Sequence, residues 1–124
     1  MKRDLELMRK ILIAIADRDG TRPTRGDELA PTLGSEVRVV NHHLDLLHRA
    51  GWIETMGLPH RSHRTADTVP DLVLVSSLTN EGHAFLDAVR DEASWGRFIK
   101  TWGAKLAEAS LSVILGWALS SGGA

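Results

Sequence analysis

Apolar residues near the start of the chain recur with the spacing of an α-helix. Four of them share one helical face: Leu5, Met8, Leu12 and Ile15. Asp4 is suited to cap the first turn, and Gly20 is suited to end the helix. The pattern therefore predicts a first helix between Asp4 and Gly20 that packs one side against a core.

A second apolar stripe follows Ser35. Its residues are predicted to face the core: Val37, Val40, Leu44 and Leu47. Six polar residues fall on the opposite side of the same helix: Arg38, Asn41, His42, Asp45, His48 and Arg49. Ser35 is expected to cap this helix and Gly51 to end it. The pattern thus predicts a helix from Ser35 to Ala50 whose polar face is free for a partner.

The segments around this helix predict a short helix before it and a hairpin after it. Residues 21–34 contain two prolines and two glycines, so the preceding helix should be short, about Gly26 to Ala30. Trp52–Met56 and Leu72–Val75 have the composition and length of paired strands. Their connection, Gly57 to Asp71, is long for a hairpin loop and carries His-Arg-Ser-His-Arg at 60–64.

Three further helices are predicted toward the C-terminus. Thr79 should cap the first, Ser94 should begin the second, and Ser110 should begin the third. The last helix is apolar nearly all round, so it must be buried by its own domain or by a second copy. The predicted fold class is mainly α with a small β-hairpin. It is a winged helix-turn-helix over 1–93 with extra C-terminal helices over 94–124 that complete the core or dimerise.

Composition limits the classes of function. The 124 residues include 43% hydrophobic and 25% charged residues, as expected for one globular domain. The 15 Lys and Arg residues are balanced by 16 Asp and Glu, so a global basic field for nucleic acid is lacking. No cysteine is present, which excludes disulfides and thiol catalysis. No signal peptide is apparent, and the apolar stretch Leu111–Leu119 is too short to span a membrane, so we expect a cytoplasmic protein.

Three long motifs carry a resemblance to a known family. They are the opening MKRDLELMRKILIAI, the central VNHHLDLLHRAGWIE, and LTNEGHAFLDAVRDEASW from residue 78. With these motifs the chain resembles a family of small bacterial and phage-associated proteins classed as a domain of unknown function. A Ser-Leu-Ser step at 110–112 extends the likeness toward the C-terminus. The resemblance implies a winged-helix fold and supplies no activity.

The segment from His43 to Gly51 separately resembles the recognition helix of ArsR-type and MarR-type repressors. That resemblance implies that Arg38, Asn41 and His42 occupy base-facing positions. One departure concerns the preceding helix, where proline and glycine at 31 and 34 interrupt the pattern.

DNA binding is the chemistry that this helix suits best. A guanidinium can pair with guanine and a carboxamide with adenine in the major groove. The expected DNA-binding residues lie on the helix and on the long loop: Ser35, Arg38, Asn41, His42, Arg49, Arg61 and Arg64. Glu36 and Asp45 would repel phosphates, and a solvated helix face or a solvated loop would explain the same polar residues.

Catalytic and metal-binding patterns are weak. His60 and His63 are three residues apart, but neither a cysteine nor a carboxylate completes a tetrahedral set. The chain has no nucleophile elbow, no phosphate-binding glycine loop and no paired carboxylates. We therefore expect no catalytic residues, no metal and no cofactor, and a protein that is not an enzyme.

Two hypotheses of function follow. The first is a sequence-specific DNA-binding protein that regulates transcription, with helix 35–50 in the major groove of double-stranded DNA and loop 57–71 on the backbone. It would be a homodimer formed through the last helix, using Leu111, Ile114, Leu115, Trp117 and Ala118. The second is a winged-helix protein of phage or mobile-element origin that binds a host protein as an inhibitor or adaptor.

Overall fold

A computed structural model describes residues 2–18, 22–59 and 69–122. Within these ranges the chain is mainly helical with a small antiparallel sheet, as predicted. Its elements are α1 (Leu5–Asp17), β1 (Thr24–Arg25), α2 (Gly26–Leu33), α3 (Val37–Arg49), β2 (Ile53–Thr55), β3 (Leu74–Leu78), α4 (Asn80–Val89), α5 (Glu92–Trp102), a 3-10 turn (Gly103–Lys105) and α6 (Leu111–Gly122). No helix in the described ranges has both the length and the apolar character needed to cross a membrane.

The sheet has three strands in the order β1-β3-β2, and both pairs are antiparallel. The predicted hairpin pairing is confirmed, but its second strand lies later than predicted: β3 ends at Leu78, which is opposite Ile53, instead of at Val75, and the register is irregular after Glu54. The short strand β1 pairs Thr24 with Val75 and was not predicted. Two residues bounded by proline and glycine carry too little pattern to be recognised as a strand in the sequence.

One hydrophobic cluster joins the helices and the sheet. The apolar stripe of α1 and the side chains of Val40, Leu44 and Leu47 in α3 are buried in it. Trp52 stacks on Phe85 of α4 with a ring-centroid separation of 4.6 Å. Buried residues of α6 belong to the same cluster: Leu111, Ile114 and Ala118. The C-terminal helices therefore contribute to the core of the rest of the chain.

The ends of α1 and α3 test the capping residues that the sequence predicts. Asp4 caps α1 by accepting the N–H of Leu7 at 3.1 Å, as predicted. Gly51 adopts φ +78° after α3, and the N–H of Trp52 donates back to the carbonyl of Leu47 at 2.9 Å. The predicted cap by Ser35 is wrong, because Glu36 occupies that position and makes no side-chain cap.

Two further helix boundaries correct the sequence analysis. Helix α5 begins at Glu92 rather than Ser94, because the carboxylate of Asp91 caps it by accepting the N–H of Ser94 at 2.9 Å. Helix α2 extends past Ala30 to Leu33 and contains Pro31. The helix ends at the left-handed glycine of position 34, whose geometry closes the last turn.

Candidate functional site

Helix α3 is fixed to α1 by a buried histidine. Nε2 of His43 accepts the backbone N–H of Asp4 at 2.8 Å, and Nδ1 lies 2.8 Å from the carbonyl oxygen of Val39. These partners define a neutral imidazole that donates from Nδ1 and accepts at Nε2. These two bonds to backbone set the position of α3 relative to the N-terminus.

Asn41 does not lie on a free surface. It is 3% exposed, and its Nδ2 donates to the carbonyl of Asp71 at 3.1 Å. A Cβ atom placed on Gly26 would come within 1.8 Å of Oδ1 of Asn41, so α2 and α3 approach closely at this point. Oδ1 is itself buried and lacks a hydrogen-bond partner among the described residues. The expectation that Asn41 is exposed and faces bases is therefore wrong for this structure, because the α2–α3 contact encloses the amide.

Two other residues of α3 depart from the predicted faces. Asp45 is buried instead of exposed, and it forms an ion pair with Arg49 at 3.2 Å. Val37, which the pattern assigned to the core, is 41% exposed at the first turn. The core-facing stripe is thus narrower at the start of α3 and its polar neighbours are more enclosed than the periodicity indicated.

A ridge of three side chains remains on the outer face of α3. Arg38 and Arg49 are exposed and His42 is half-buried, at spacings of four and seven residues that keep them on one side. No ion pair joins Arg38 to another residue of the described part, whereas Arg49 pairs with Asp45. We call Arg38, His42 and Arg49 the α3 ridge. Of the predicted DNA-binding residues in α3, these three lie together and Asn41 does not join them.

The environment of His42 favours the neutral imidazole. Partial burial lowers the pKa of His42 below 6.5, because burial disfavours the charged imidazolium. Asp45 opposes this effect and Arg49 adds to it. His42 therefore offers the ridge a donor and an acceptor near neutral pH, and little charge.

The other predicted site residues lie elsewhere. Ser35 is half-buried in the turn between α2 and α3, and its N–H donates to the carbonyl of Ala30 at 3.1 Å. Arg61 and Arg64 fall outside the described residues. A cleft of about 330 Å³ lies between the start of α3 and residues 69–71, and Arg38 lines it.

The face predicted to form the dimer is only partly available. Leu111, Ile114 and Ala118 are buried within the chain's own core, so they are wrong as contacts to a second copy. Leu115 and Trp117 are half-buried. The rings of Trp117 and Trp102 stack with a centroid separation of 4.6 Å and an interplanar angle of 3°. Two other apolar side chains of α6 are exposed: Val113 at 45% and Leu119 at 50%.

Two arginines, one just before α1 and one within it, have structural roles that the sequence did not indicate. Arg3 donates to the carbonyls of Leu106 and Ala109, the latter at 2.7 Å. Arg9 is buried, donates from Nε to the carbonyl of Val89 at 2.8 Å, and lies 5.2 Å from the ring centroid of Trp95. In the sequence both arginines lie among charged residues of the kind expected on a protein surface. Only their partners far along the chain show that they have structural roles.

The motif after residue 78 also serves the scaffold. The hydroxyl of Thr79 donates to the carbonyl of Gly51 and accepts the N–H of Gly82 at the start of α4. A Cβ atom on Gly82 would come within 2.1 Å of the carbonyl oxygen of Trp52, so glycine permits close contact between α4 and the strand. Phe85 fills the adjoining core.

Comparison with known proteins identifies the family to which the chain belongs. The model of the family described as "Hypothetical protein (DUF2513)" matches residues 2–107. A protein of Haemophilus influenzae described as "Uncharacterized protein" is 28% identical over 115 residues, which cover 92% of this chain and 89% of that protein. No solved structure matches the chain significantly. Because the family model spans α1 to α5 and the 3-10 turn, the chain belongs to the DUF2513 family.

Proposed function

We propose that this protein is a winged-helix protein that binds double-stranded DNA and regulates transcription. The order helix, strand, helix, helix and then two strands, with a three-stranded antiparallel sheet, supports the winged-helix assignment. In that fold the third helix enters the major groove and the hairpin loop flanks it. Fold alone does not define function, so the proposal depends on the outer face of α3.

The observation that carries the proposal is the α3 ridge. Arg38 is exposed near the start of the helix, where recognition helices contact base edges, and it has no carboxylate partner in the described part. A guanidinium in this position can donate two hydrogen bonds to guanine. His42, one turn later, can contact a base or a phosphate, and Arg49 can reach the backbone. Asn41 is not among the residues proposed to contact bases, because it is buried between α2 and Asp71 and has a structural role there.

The loop and the last helix complete the proposal. Arg61 and Arg64 would contact phosphates beside the groove, which positions the protein without reading sequence. A second copy would pack on the exposed side of α6, where Val113 and Leu119 leave apolar area uncovered. A two-fold axis there would present two α3 helices to successive turns of the duplex.

The test is binding to a duplex selected from a random pool, measured by fluorescence anisotropy. Arg38→Ala should weaken binding by about 1–3 kcal/mol without changing the unfolding midpoint, because the side chain is exposed. Lys100→Ala, an equal loss of charge on the exposed side of α5, is the matched control and should bind like the wild type. Equal affinities of the two variants would refute the role of the α3 ridge.

A salt titration separates backbone contacts from base contacts. Arg61→Ala and Arg64→Ala should each flatten the dependence of affinity on salt by about one phosphate contact and should weaken all duplexes alike. Unchanged slopes would remove the loop from the DNA interface.

A second candidate function is binding to a host protein as an inhibitor or adaptor. Exposed apolar side chains near the hairpin favour it: Leu58 at 85%, with Met56 and Leu72 also exposed. The near-balance of acidic and basic residues also favours a protein partner, because it provides no global basic field for nucleic acid. Copurification from native cells distinguishes the two. A protein that stays bound at high salt and is lost on Leu58→Asp would support this candidate, and recovery of nucleic acid alone would contradict it.

A further inference from the structure

An apolar groove of about 620 Å³ opens between α1 and α2. Ile13 and Ala14 of α1 form one side of it, and Leu29 and Leu33 of α2 form the other. These side chains pack against the core but leave an apolar surface at the groove. A groove of this volume and lining is typical of sites that take small ligands with an apolar body.

The polar character of the groove comes from Arg18. One terminal nitrogen of its guanidinium donates to the carbonyl of Ser76 at 3.0 Å, and the other donates to the carbonyl of Arg22. Both acceptors are neutral, and no carboxylate pairs with Arg18 among the described residues. Its Nε is buried and has no hydrogen-bond partner there. Within the described residues, the groove therefore has at one side a cation that no carboxylate pairs with and whose Nε has no hydrogen-bond partner.

The other charged side chains that line the groove leave its net charge positive. Lys10 lines the rim, and its distant contact with Glu6, 3.9 Å away, joins two side chains that are both more than half exposed. Asp17 also lines the groove, but its carboxylate is paired with Arg90. Of the described residues that line the groove, an anion would thus meet two cations and one carboxylate that is already paired with an arginine.

We propose that this groove binds a monocarboxylate with an apolar chain, of the medium-chain fatty acid class. The chain lies along Ile13, Ala14, Leu29 and Leu33, and the carboxylate accepts hydrogen bonds from Arg18. An alcohol of equal length would fill the same apolar surface and lose the charge-assisted bond. The site does not depend on DNA binding, because its residues are separate from the α3 ridge.

Isothermal titration calorimetry with octanoate, octanol and octylamine tests the proposal on the full chain without DNA. Octanoate should bind saturably with one ligand per chain. Octanol should bind at least about tenfold more weakly, and octylamine should not bind. Ala14→Phe, which puts a large side chain into the groove from the α1 side, should abolish octanoate binding, whereas Lys100→Gln on α5 should leave it unchanged. Arg18→Gln should lower affinity by about tenfold.

The outcomes that overturn the proposal are distinct from those that refute DNA binding. Equal affinity for octanoate and octanol would show an apolar surface without an anion site. Octanoate binding that survives Ala14→Phe would place the ligand elsewhere, and absence of saturable binding would remove the site. Because Arg18 also holds two backbone carbonyls, the comparison of ligands and the Ala14 variant decide the matter even if Arg18→Gln does not fold.

Discussion

Replacement of Arg9 by methionine should cause a large loss of stability, although a charged residue in a helix usually indicates an exposed position. Methionine keeps much of the apolar stem and removes the charge and all donors. The carbonyl of Val89, which accepts from Nε at 2.8 Å, loses its partner at the end of α4, and so does the carbonyl of Arg90. The guanidinium contact with the Trp95 ring is also lost.

These contacts set the magnitude. A buried acceptor without a partner costs about 1–3 kcal/mol, and a desolvated cation–π contact contributes about 0.5–2 kcal/mol. Removing a buried charge recovers part of its desolvation cost, and the ion pair with Glu92 adds little because that side chain is 88% exposed. The expected net loss for Arg9→Met is therefore about 2–4 kcal/mol.

Urea unfolding followed by far-ultraviolet circular dichroism measures this loss. With a slope of about 2 kcal/mol per molar urea, the midpoint should fall by about 1–2 M. Lys10→Met, the neighbouring residue on the exposed side of α1, is the matched control and should change stability by less than about 0.5 kcal/mol. If Arg9→Met and Lys10→Met have the same midpoint, the structural role assigned to Arg9 is refuted.

Gly82→Ala should destabilise the protein by about 1–3 kcal/mol in urea, because its Cβ would meet the carbonyl of Trp52, whereas Gly96→Ala, in open space, should stabilise it by up to about 1 kcal/mol. Stabilisation by Gly82→Ala would contradict the close contact. Because the pKa of His42 is lowered on folding, the unfolded state binds more protons below pH 6.5, so stability should fall as pH drops through that window. His42→Gln should reduce this slope, and an identical slope would contradict the assignment. Val113→Glu should convert the proposed dimer into a monomer by light scattering, and a wild type that is already monomeric at high micromolar concentration would refute the dimer.

Much of the fold could be predicted because its signals are local. The stripe of α1, the cap at Asp4 and the left-handed glycine at 51 all depend on a few neighbouring residues. Helix α2 was predicted too short because Pro31 is a strong local signal against helix, and packing against α3 outweighed it.

The candidate site was less predictable because exposure depends on distant parts of the chain. The periodicity placed Asn41 on a polar face, but it could not show that Gly26 brings α2 against that amide or that residue 71 supplies its acceptor. The burial of Arg9 depends in the same way on Val89, 80 positions later. Residue type and spacing identified Arg38 and His42, while tertiary contacts decided which of their neighbours remained available.

The bonds of Arg3 have a consequence for the order of events during synthesis. Its guanidinium binds the carbonyls of Leu106 and Ala109, which lie 103 and 106 positions farther along the chain. The ribosome synthesises these acceptors long after Arg3, so the segment before α1 must wait without these two partners. Contacts of such sequence separation slow folding, since loop closure must precede them. The bonds of Arg3 therefore form late, and the segment before α1 is one for which a chaperone would have time to compete.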